Sequence, residues 1–329
     1  MARYAAIAGT GSYVPETVLT NFDLEKMVDT SDEWIRKRTG IVERRISDND
    51  MATSDLAVRA ARQAIKTAEV DPLDIEMIIV GTVTPDTLFP ATSCYVQQGI
   101  GAKNACAFDL SAACAGFVYG LDVADGMIKS GRYNTVLVIG GEVFSKILDW
   151  KDRSTCVLFG DGAGAAVLRA TDEPTGIIAS YIGSDGDNAE VDLLGIPAGG
   201  SRLPPSHDTI DQNLHAIKMS GREVFKLGVR IMPESAHRVL EQSGLTIDDI
   251  DLLIPHQANL RIIEAVGERL GIPREKVYVN VDKYGNTSAA TVIIALDEAI
   301  REGQAKPGDY ILLVTFGAGL TWGSTLLRL

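Results

Sequence analysis

The 329-residue chain has few cysteines, few histidines and no long uncharged hydrophobic run. No apolar stretch reaches the ~18–20 residues that a membrane-spanning helix needs. The first residues lack the basic segment and apolar run of a signal peptide. The four cysteines include no CxxC pair, so a disulfide framework is not expected. These features favour a reduced, cytoplasmic protein without a membrane partner.

Positive charge is also scarce. The chain has 31 Lys and Arg against 44 Asp and Glu, giving a net charge of −13. Because nucleic acid binding needs a basic surface, this balance argues against a nucleic acid partner. The four histidines are dispersed along the chain, so no metal site is predicted.

The remaining composition is that of a globular protein, with 46% hydrophobic and 23% charged residues. At roughly 100–200 residues per domain, two domains or two lobes are expected. Helical and strand-like patterns alternate, which predicts an α/β fold with a largely parallel sheet. The predicted helices are residues 54–68, 116–129, 223–242, 259–270 and 288–302. The predicted strands are residues 76–80, 105–110, 135–140, 163–168, 252–254, 277–281 and 310–315.

A weak internal repeat runs through the chain. Residues 74–80 (DIEMIIV) resemble residues 249–255 (DIDLLIP), and a later turn at 111–116 corresponds to one at 283–288. Two similar α/β halves, residues 1–173 and 174–329, are the simplest explanation. The alternative is the general likeness of βαβ units.

Residues from about 174 to 220 are rich in Gly, Asp, Ser and Pro. This composition predicts long loops with short strands. Loops of this kind often cover a binding site on a rigid scaffold. A linker without a role of its own is the alternative.

Three residues follow predicted strands, in turns that lead into helices: Cys114, His256 and Asn286. Ligands bind at this edge of open α/β sheets, and the three turns converge if the halves pack around a pseudo-twofold axis. The start of a helix stabilises a thiolate, which predicts a lowered pKa for Cys114. A nearby imidazole can exchange that proton, and a His–Asn pair offers two neutral donors to an oxyanion.

Each of these residues also has a structural interpretation. A buried cysteine more often packs than reacts, which is our expectation for Cys94, Cys106 and Cys156. His256 follows a proline and fits a loop, and Asn286 follows a glycine and fits a tight turn. Spacing alone leaves both interpretations open.

Two segments are rich in glycine. Residues 159–166 (FGDGAGAA) match the GxGxxA pattern of dinucleotide sites but run into a short strand rather than a long helix. We therefore expect a bend with close backbone approach. Residues 316–324 follow a strand, and either present backbone N–H groups to an oxyanion or form a tight crossing.

Basic residues cluster beside tryptophans at 34–38 (WIRKR) and 150–153 (WKDR). An aromatic ring beside arginines suits a ligand with a purine and phosphates. In an acidic chain the cluster indicates an anionic substrate. The alternative is a solvated helix face balanced by Asp32 and Glu33.

Several longer motifs occur along the chain: GTGSYVPE, TSDEWIRKRTGI, FDLSAACAGF, DRSTCVLFGDGAGAAVL, IPHQANLRI, YGNTSAA and FGAGLTWGS. In these motifs the chain resembles, essentially from end to end, the β-ketoacyl-acyl carrier protein synthase III family, the initiating condensing enzymes of bacterial fatty acid synthesis. The resemblance implies the duplicated, five-layered αβαβα fold of the thiolase-like superfamily.

The resemblance implies that Cys114 accepts the acyl group, while His256 and Asn286 promote malonyl decarboxylation and stabilise the enolate. The backbone N–H groups of Cys114 and Ala318 match the oxyanion hole, although the family often has glycine at the second position. The implied reaction condenses an acyl-CoA, acetyl-CoA or a similar primer, with malonyl-acyl carrier protein. It requires no metal or cofactor, since the coenzyme A thioester is a substrate.

The resemblance also assigns residues that hold coenzyme A and the protein partners. Those implied for coenzyme A are Trp34 and Arg153 around the adenine, Thr30 and Arg38 at the nucleotide, and Phe225, Ala258 and Asn259 along the pantetheine tunnel. Those implied for partners are Phe89, which reaches across a homodimer interface to the acyl pocket, and Lys226 and Arg261, which meet the carrier protein.

Three features depart from the family pattern. Arg222 stands where relatives often have Asn, Glu268 stands where some relatives are basic, and the loop 204–213 is longer. Other functions stay open: a condensing enzyme of secondary metabolism or a thioester hydrolase on the same scaffold, and a non-catalytic acyl-CoA-binding partner of a synthase complex.

Overall fold

Two β-sheets with helices on both faces form the framework of this computed structural model, which describes residues 3–329. The strands are β1 Tyr4–Tyr13, β2 Val18–Thr20, β3 Glu43–Arg45, β4 Met77–Gly81, β5 Cys106–Leu110, β6 Thr135–Glu142, β7 Gly162–Thr171, β8 Gly176–Ser184, β9 Leu194–Gly195, β10 Lys218–Met219, β11 Leu252–Pro255, β12 Tyr310–Gly317 and β13 Thr321–Arg328. The helices are α1 Asn21–Leu24, α2 Asp32–Thr39, α3 Thr53–Ala68, α4 Thr92–Ile100, α5 Gly116–Lys129, α6 His207–Asp211, α7 Gly221–Ser243, α8 Leu260–Leu270, α9 Val281–Tyr284 and α10 Thr291–Arg301.

Both large sheets are mixed. The first has the order β1-β7-β6-β4-β5 and the second the order β11-β12-β13-β8. Strand β4 is parallel to β5 and β6, and β11 is parallel to β12, but the other neighbours are antiparallel. The prediction of a largely parallel sheet is therefore wrong. Parallel neighbours need a crossover helix, and the connections β6–β7 and β12–β13 contain none.

The helices and sheets stack in five layers. Helices α3 and α4 cover the outer face of the first sheet, α5 and α10 lie between the two sheets, and α7 and α8 cover the outer face of the second. This is the predicted duplicated αβαβα arrangement. The middle helix α10 is largely buried, and its first half accordingly carries an apolar run at residues 292–296.

Small residues let the outer layer approach the first sheet. Strand β1 meets α3 at Gly9 and Gly11, where a Cβ would lie 2.4 Å from the backbone nitrogens of Ala68 and Ala64, respectively. The alanines of α3 complete this close contact. Among the described helices, none is long and apolar enough to cross a bilayer.

The structure corrects several predicted elements. Helix α5 has the predicted bounds, but the predicted helix 288–302 begins as a 3₁₀ turn, Ser288–Ala290, before α10. The predicted strand 277–281 is wrong, because only a single parallel bridge joins Val277 to Leu253 and the chain then turns into α9.

The segment 174–220 is less irregular than predicted. It begins with the nine-residue strand β8, which joins the second sheet, because its residues pair with β13 along their whole length. Loops with short strands follow only after it, and the 204–213 loop contains α6. The domain boundary at 173/174 falls between β7 and β8 and stays a prediction.

Candidate active site

The three turns singled out in the sequence open on one cavity of about 730 Å³. Cys114, His256, Asn286 and Ala318 all line it. Apolar side chains form much of the remaining wall, including the stacked rings of Phe144 and Phe159, whose centroids are 4.6 Å apart. The structure thus brings the predicted residues together, while their roles stay predictions.

Cys114 lies in a 3₁₀ turn, Ala113–Ala115, directly before α5. Gly317, at the end of β12, packs against this turn, and a Cβ there would lie 2.6 Å from the backbone nitrogen of Cys114. Only glycine allows this approach. The next residue, Ala318, lines the same cavity as Cys114.

The Cys114 thiol is buried, and this burial raises its pKa to about 12. A hydrogen bond with the Ser288 hydroxyl lowers the pKa, and the charge of Glu142 raises it. The predicted lowering at a helix start is therefore wrong, because desolvation of the thiolate outweighs the helix dipole. The sulfur is therefore a neutral thiol near pH 7.

Behind Cys114 lies a buried carboxylate that the sequence analysis missed. The Ser288 hydroxyl donates to Glu142 Oε1 at 3.2 Å, and the Thr84 hydroxyl donates to Oε2 at 2.6 Å. Backbone N–H groups of Val83 and Thr84 donate as well. Burial raises the pKa of Glu142 to about 7. Its signal in the sequence was a charge at the carboxyl end of an apolar strand.

His256 is buried directly after β11. Its backbone N–H donates to Val314 O at 2.8 Å, and its Nδ1 lies 2.7 Å from the hydroxyl oxygen of Thr291. Burial lowers the pKa of His256 to about 3, since the imidazolium would lose its hydration. The imidazole is therefore neutral near pH 7.

Asn286 is fixed at both its backbone and its side chain. Its N–H donates to Leu158 O at 2.8 Å, and its side-chain Oδ1 accepts from the Ser288 N–H at 2.8 Å. Gly285 before it has φ of 63°, and a Cβ there would lie 2.8 Å from Leu158 O. The tight turn therefore needs glycine, and it leaves the amide Nδ2 of Asn286 as a donor.

The residues predicted to hold an adenine already stack on one another. The guanidinium groups of Arg38 and Arg153 lie 5.5 and 5.4 Å from the centre of the Trp34 ring. A ring inserted between Trp34 and Arg153 would need a contact of ~3.5–4 Å on each of its two faces. The present separation of 5.4 Å is too short for both contacts, so Arg153 must move before a purine fits beside Trp34. Within residues 3–329, the buried Thr30 hydroxyl has no hydrogen-bond partner.

The basic residues of α2 have two different surroundings. Arg36 pairs with Asp32 at 2.7 Å on the solvated face, as the structural alternative expects. Arg38 instead stacks on Trp34 and lines the cavity. The structural alternative therefore holds for Arg36, while the binding role of Arg38 stays a prediction.

The predicted tunnel and carrier-protein residues border the cavity. Those lining it are Arg38, Arg222, Phe225, Lys226, Ala258, Asn259 and Arg261. Asn259 caps α8 by accepting from the Arg261 N–H at 2.9 Å, and its Nδ2 donates to Arg38 O at 3.2 Å. Arg261 in turn lies over the Phe225 ring. Glu268 is exposed further along the same helix.

Phe89 lies elsewhere on the surface. Its side chain is 85% exposed, as is that of its neighbour Leu88 at 84%. It does not line the cavity of its own chain. The predicted role in the acyl pocket therefore requires a second chain.

Two other predictions meet different outcomes. Cys156 is buried as expected, but Cys94 and Cys106 are exposed, because β5 is an edge strand and Cys94 lies on the outer side of α4. The predicted close approach in the first glycine-rich segment is confirmed. A Cβ on Gly160 would lie 2.4 Å from the backbone carbonyl oxygen of Tyr284.

Comparison with known proteins decides the family. Residues 108–186 match the family model of 3-oxoacyl-[acyl-carrier-protein (ACP)] synthase III, and residues 240–329 match its C-terminal model. Over 324 residues the chain is 60% identical to the β-ketoacyl-[acyl-carrier-protein] synthase III of Caldanaerobacter subterraneus subsp. tengcongensis, covering 98% of this chain and 97% of that one. The chain belongs to the 3-oxoacyl-[acyl-carrier-protein] synthase III family.

Solved structures of a synthase III and of a priming β-ketosynthase share the fold. The crystal structure from Aquifex aeolicus superimposes with a TM-score of 0.92 at 50% identity, covering 99% of this chain and 100% of that one. The priming β-ketosynthase of the R1128 polyketide pathway gives a TM-score of 0.91 at 37% identity, covering 100% and 97%. The predicted thiolase-like fold is confirmed, and as a synthase III the chain is a condensing acyltransferase.

Proposed function

We propose that the chain condenses an acyl-CoA primer, acetyl-CoA or a similar thioester, with malonyl-acyl carrier protein. The products are 3-oxoacyl-acyl carrier protein, CO2 and CoA, and the reaction initiates fatty acid synthesis. The observation that carries this proposal is the meeting of Cys114, His256 and Asn286 in one largely apolar cavity.

In the first half-reaction, the Cys114 sulfur attacks the acyl-CoA carbonyl carbon. The bond from that carbon to the CoA sulfur breaks, and the proton lost by Cys114 ends on CoA. The backbone N–H groups of Cys114 and Ala318 donate to the oxyanion. Two easier steps thereby replace one difficult step.

In the second half-reaction, malonyl-acyl carrier protein enters the same cavity and loses CO2. The electron pair of the broken carbon–carbon bond becomes an enolate, whose oxygen accepts hydrogen bonds from His256 and Asn286. The enolate carbon attacks the acyl-Cys114 thioester. The released Cys114 thiolate then takes a proton from solvent.

The partners and setting form part of the proposal. Coenzyme A would contact Thr30, Trp34, Arg38, Arg153, Phe225, Ala258 and Asn259, and the carrier protein would meet Lys226 and Arg261. A homodimer would bring the exposed Phe89 to the partner's acyl pocket. The chemistry needs no metal or redox cofactor, and the four free cysteines fit a cytoplasmic location.

The experiment is a product assay with acetyl-CoA and malonyl-acyl carrier protein, read by mass spectrometry. We expect 3-oxoacyl-acyl carrier protein from the wild type and none from Cys114→Ser, with Cys94→Ser as an active control. Release of CoA without use of malonyl-acyl carrier protein would contradict the proposal and favour a thioester hydrolase. Absence of any turnover would favour an acyl-CoA-binding protein.

A further inference from the structure

Gln257 follows His256 directly in the chain, and it is only 1% exposed. Its side-chain amide makes three hydrogen bonds, all of them to backbone groups. Nε2 donates to Pro255 O at 2.8 Å and to Tyr278 O at 3.2 Å, while Oε1 accepts from the Asn280 N–H at 2.9 Å. Because an amide nitrogen carries two protons, each of the two carbonyl oxygens receives one. The partners therefore fix the orientation of the amide.

These bonds extend the edge of the second sheet beyond the end of β11. The backbone forms one parallel bridge between Leu253 and Val277, and the Tyr278 N–H donates to Leu253 O at 2.9 Å. The Gln257 amide then bonds the Tyr278 carbonyl and the Asn280 N–H. A peptide group of a parallel neighbouring strand bonds two such groups in the same way. The side chain thus takes the place of a strand that has already ended.

The segment that Gln257 holds leads into Asn286. Asn280 stands directly before the short helix α9, and only α9 and Gly285 separate it from Asn286. The Asn280 side chain donates to Glu298 Oε2 on α10 at 2.7 Å. Asn280 is therefore held from two sides, by its backbone at the end of β11 and by its side chain at the middle layer.

Gln257 thereby joins the two turns that carry the proposed enolate donors. A misplacement of about 1 Å can cost a reaction about a hundredfold. We propose that Gln257 is a positioning residue that sets the placement of Asn286 relative to His256 for malonyl decarboxylation. This inference rests on the proposed function, in which His256 and Asn286 donate to the enolate. It assigns Gln257 a role in the second half-reaction only.

Gln257→Met tests the inference, because it nearly keeps the shape of the side chain but removes the amide. We expect it to lower decarboxylation of malonyl-acyl carrier protein roughly ten- to a hundredfold, since two buried backbone groups lose a partner and the segment before α9 shifts. Acylation of Cys114 by acetyl-CoA should stay within a few-fold of the wild type, since Cys114 lies on a turn of the first half. Labelled CO2 release and intact-protein mass spectrometry measure the two half-reactions.

Gln97→Met is the matched control. The Gln97 Nε2 also donates to two backbone carbonyls, Ala102 O at 3.2 Å and Ala105 O at 2.7 Å, but from α4 in the outer layer. We expect it to leave the ratio of the two half-reaction rates unchanged. Equal loss of both half-reactions in Gln257→Met, or normal decarboxylation by this variant, would overturn the inference.

Amide hydrogen exchange gives a reading that does not depend on activity. In Gln257→Met, the Asn280 N–H should exchange at least ~tenfold faster than in the wild type, because its acceptor is gone. Gln97→Met should leave this exchange unchanged. Unchanged protection of Asn280 in Gln257→Met would contradict the positioning role.

Two further variants complete the design. Should Gln257→Met not fold, Gln257→Glu decides, because it keeps the oxygen that accepts from Asn280 and loses the Nε2 donors. The same split between half-reactions is expected, and normal decarboxylation would overturn the inference. If His256→Ala decarboxylates normally, the proposed role of His256 fails. If His256→Ala is defective and the Gln257 variants are not, only the role of Gln257 fails.

Discussion

The two halves of the molecule each direct a 3₁₀ turn toward the cavity, Ala113–Ala115 in the first half and Ser288–Ala290 in the second. Both turns begin with a non-glycine residue at positive φ, 45° at Ala113 and 51° at Ser288. Each continues into a helix of the middle layer. Cys114 and Ala289 therefore occupy equivalent positions, and the same backbone turn carries a thiol in one half and a methyl group in the other.

The difference extends to the strands before these turns. Gly81 ends β4 and Gly116 begins α5, and a Cβ on Gly81 would lie 2.6 Å from the Gly116 backbone. The equivalent positions in the second half hold His256 and Thr291, joined at 2.7 Å. The first half thus has a close contact between two glycines beside the Cys114 turn, while the second half has a polar pair at the same positions.

Removing the polar pair is expected to have the largest effect. His256→Ala makes the second half resemble the first, and should lower decarboxylation at least ~100-fold because an oxyanion donor is lost. Acylation of Cys114 should persist. The measurement follows labelled CO2 release beside acyl-enzyme formation, with the exposed His237→Ala as control. Equal loss of both half-reactions would show that the halves do not divide the work.

Burial of His256 also predicts that the free energy of unfolding depends on pH. Its equivalent in the first half, Gly81, has no titratable side chain and gives no such dependence. The pKa of His256 falls from 6.5 to about 3 on folding, so the unfolded state binds the proton first as pH falls. Above pH 6.5 the protonation of His256 leaves the free energy of unfolding unchanged. Below pH 6.5 it lowers the free energy of unfolding by about 1.4 kcal/mol per pH unit.

Denaturant unfolding between pH 7 and 4.5 measures this effect. The free energy of unfolding should fall more steeply with decreasing pH in the wild type than in His256→Ala. Parallel curves would contradict burial of a neutral imidazole.

Glycines that support the two turns give a matched pair of smaller effects. A Cβ on Gly317 would lie 2.6 Å from Cys114 N, and one on Gly140 would lie 2.3 Å from Ala289 O. Alanine at either position should destabilise the fold by ~1–3 kcal/mol through overpacking. Gly317→Ala should impair acylation, and Gly140→Ala should impair decarboxylation.

Gly126→Ala on α5 is the control, because no neighbour lies within 4 Å of a Cβ there. It should stabilise the helix by ~0.5–1 kcal/mol. Wild-type stability in Gly317→Ala would show that the turn is not held as closely as the structure describes.

The smallest expected effect concerns the contact between the turns. Ser288 lowers the pKa of Cys114 and the charge of Glu142 raises it. Ser288→Ala should therefore slow iodoacetamide alkylation of Cys114 at pH 8, and Glu142→Gln should speed it, each by a few-fold. Mass spectrometry of the Cys114 peptide separates it from the exposed cysteines. Changes in the same direction would contradict opposed influences on the thiol.

The fold and the three cavity residues could be predicted from the sequence because strand ends and long motifs are local features of the chain. The two halves of the internal repeat were aligned in the wrong register. The sequence analysis matched residues 111–116 to residues 283–288, whereas the structure equates residues 112–116 with residues 287–291. One predicted strand was also wrong, because tertiary contacts did not support its local pattern. Residues 277–281 have a strand pattern, but tertiary pairing stops at Val277.

The contacts of Ser288, Thr291 and Glu142 were missed because they join segments far apart in the chain. Glu142 meets Ser288 from the first sheet, and Thr291 meets His256 from α10. Such contacts leave no spacing signal. The pKa of Cys114 was predicted in the wrong direction for the same reason, because burial is a property of the whole fold.

The most direct test is intact-protein mass spectrometry after mixing wild type, Cys114→Ala and His256→Ala with a panel of acyl-CoAs. We expect one acyl adduct on the wild type and on His256→Ala, none on Cys114→Ala, and a preferred mass that names the primer. An adduct on Cys114→Ala, or none on the wild type with any acyl-CoA, would contradict the assignment of Cys114 as the nucleophile.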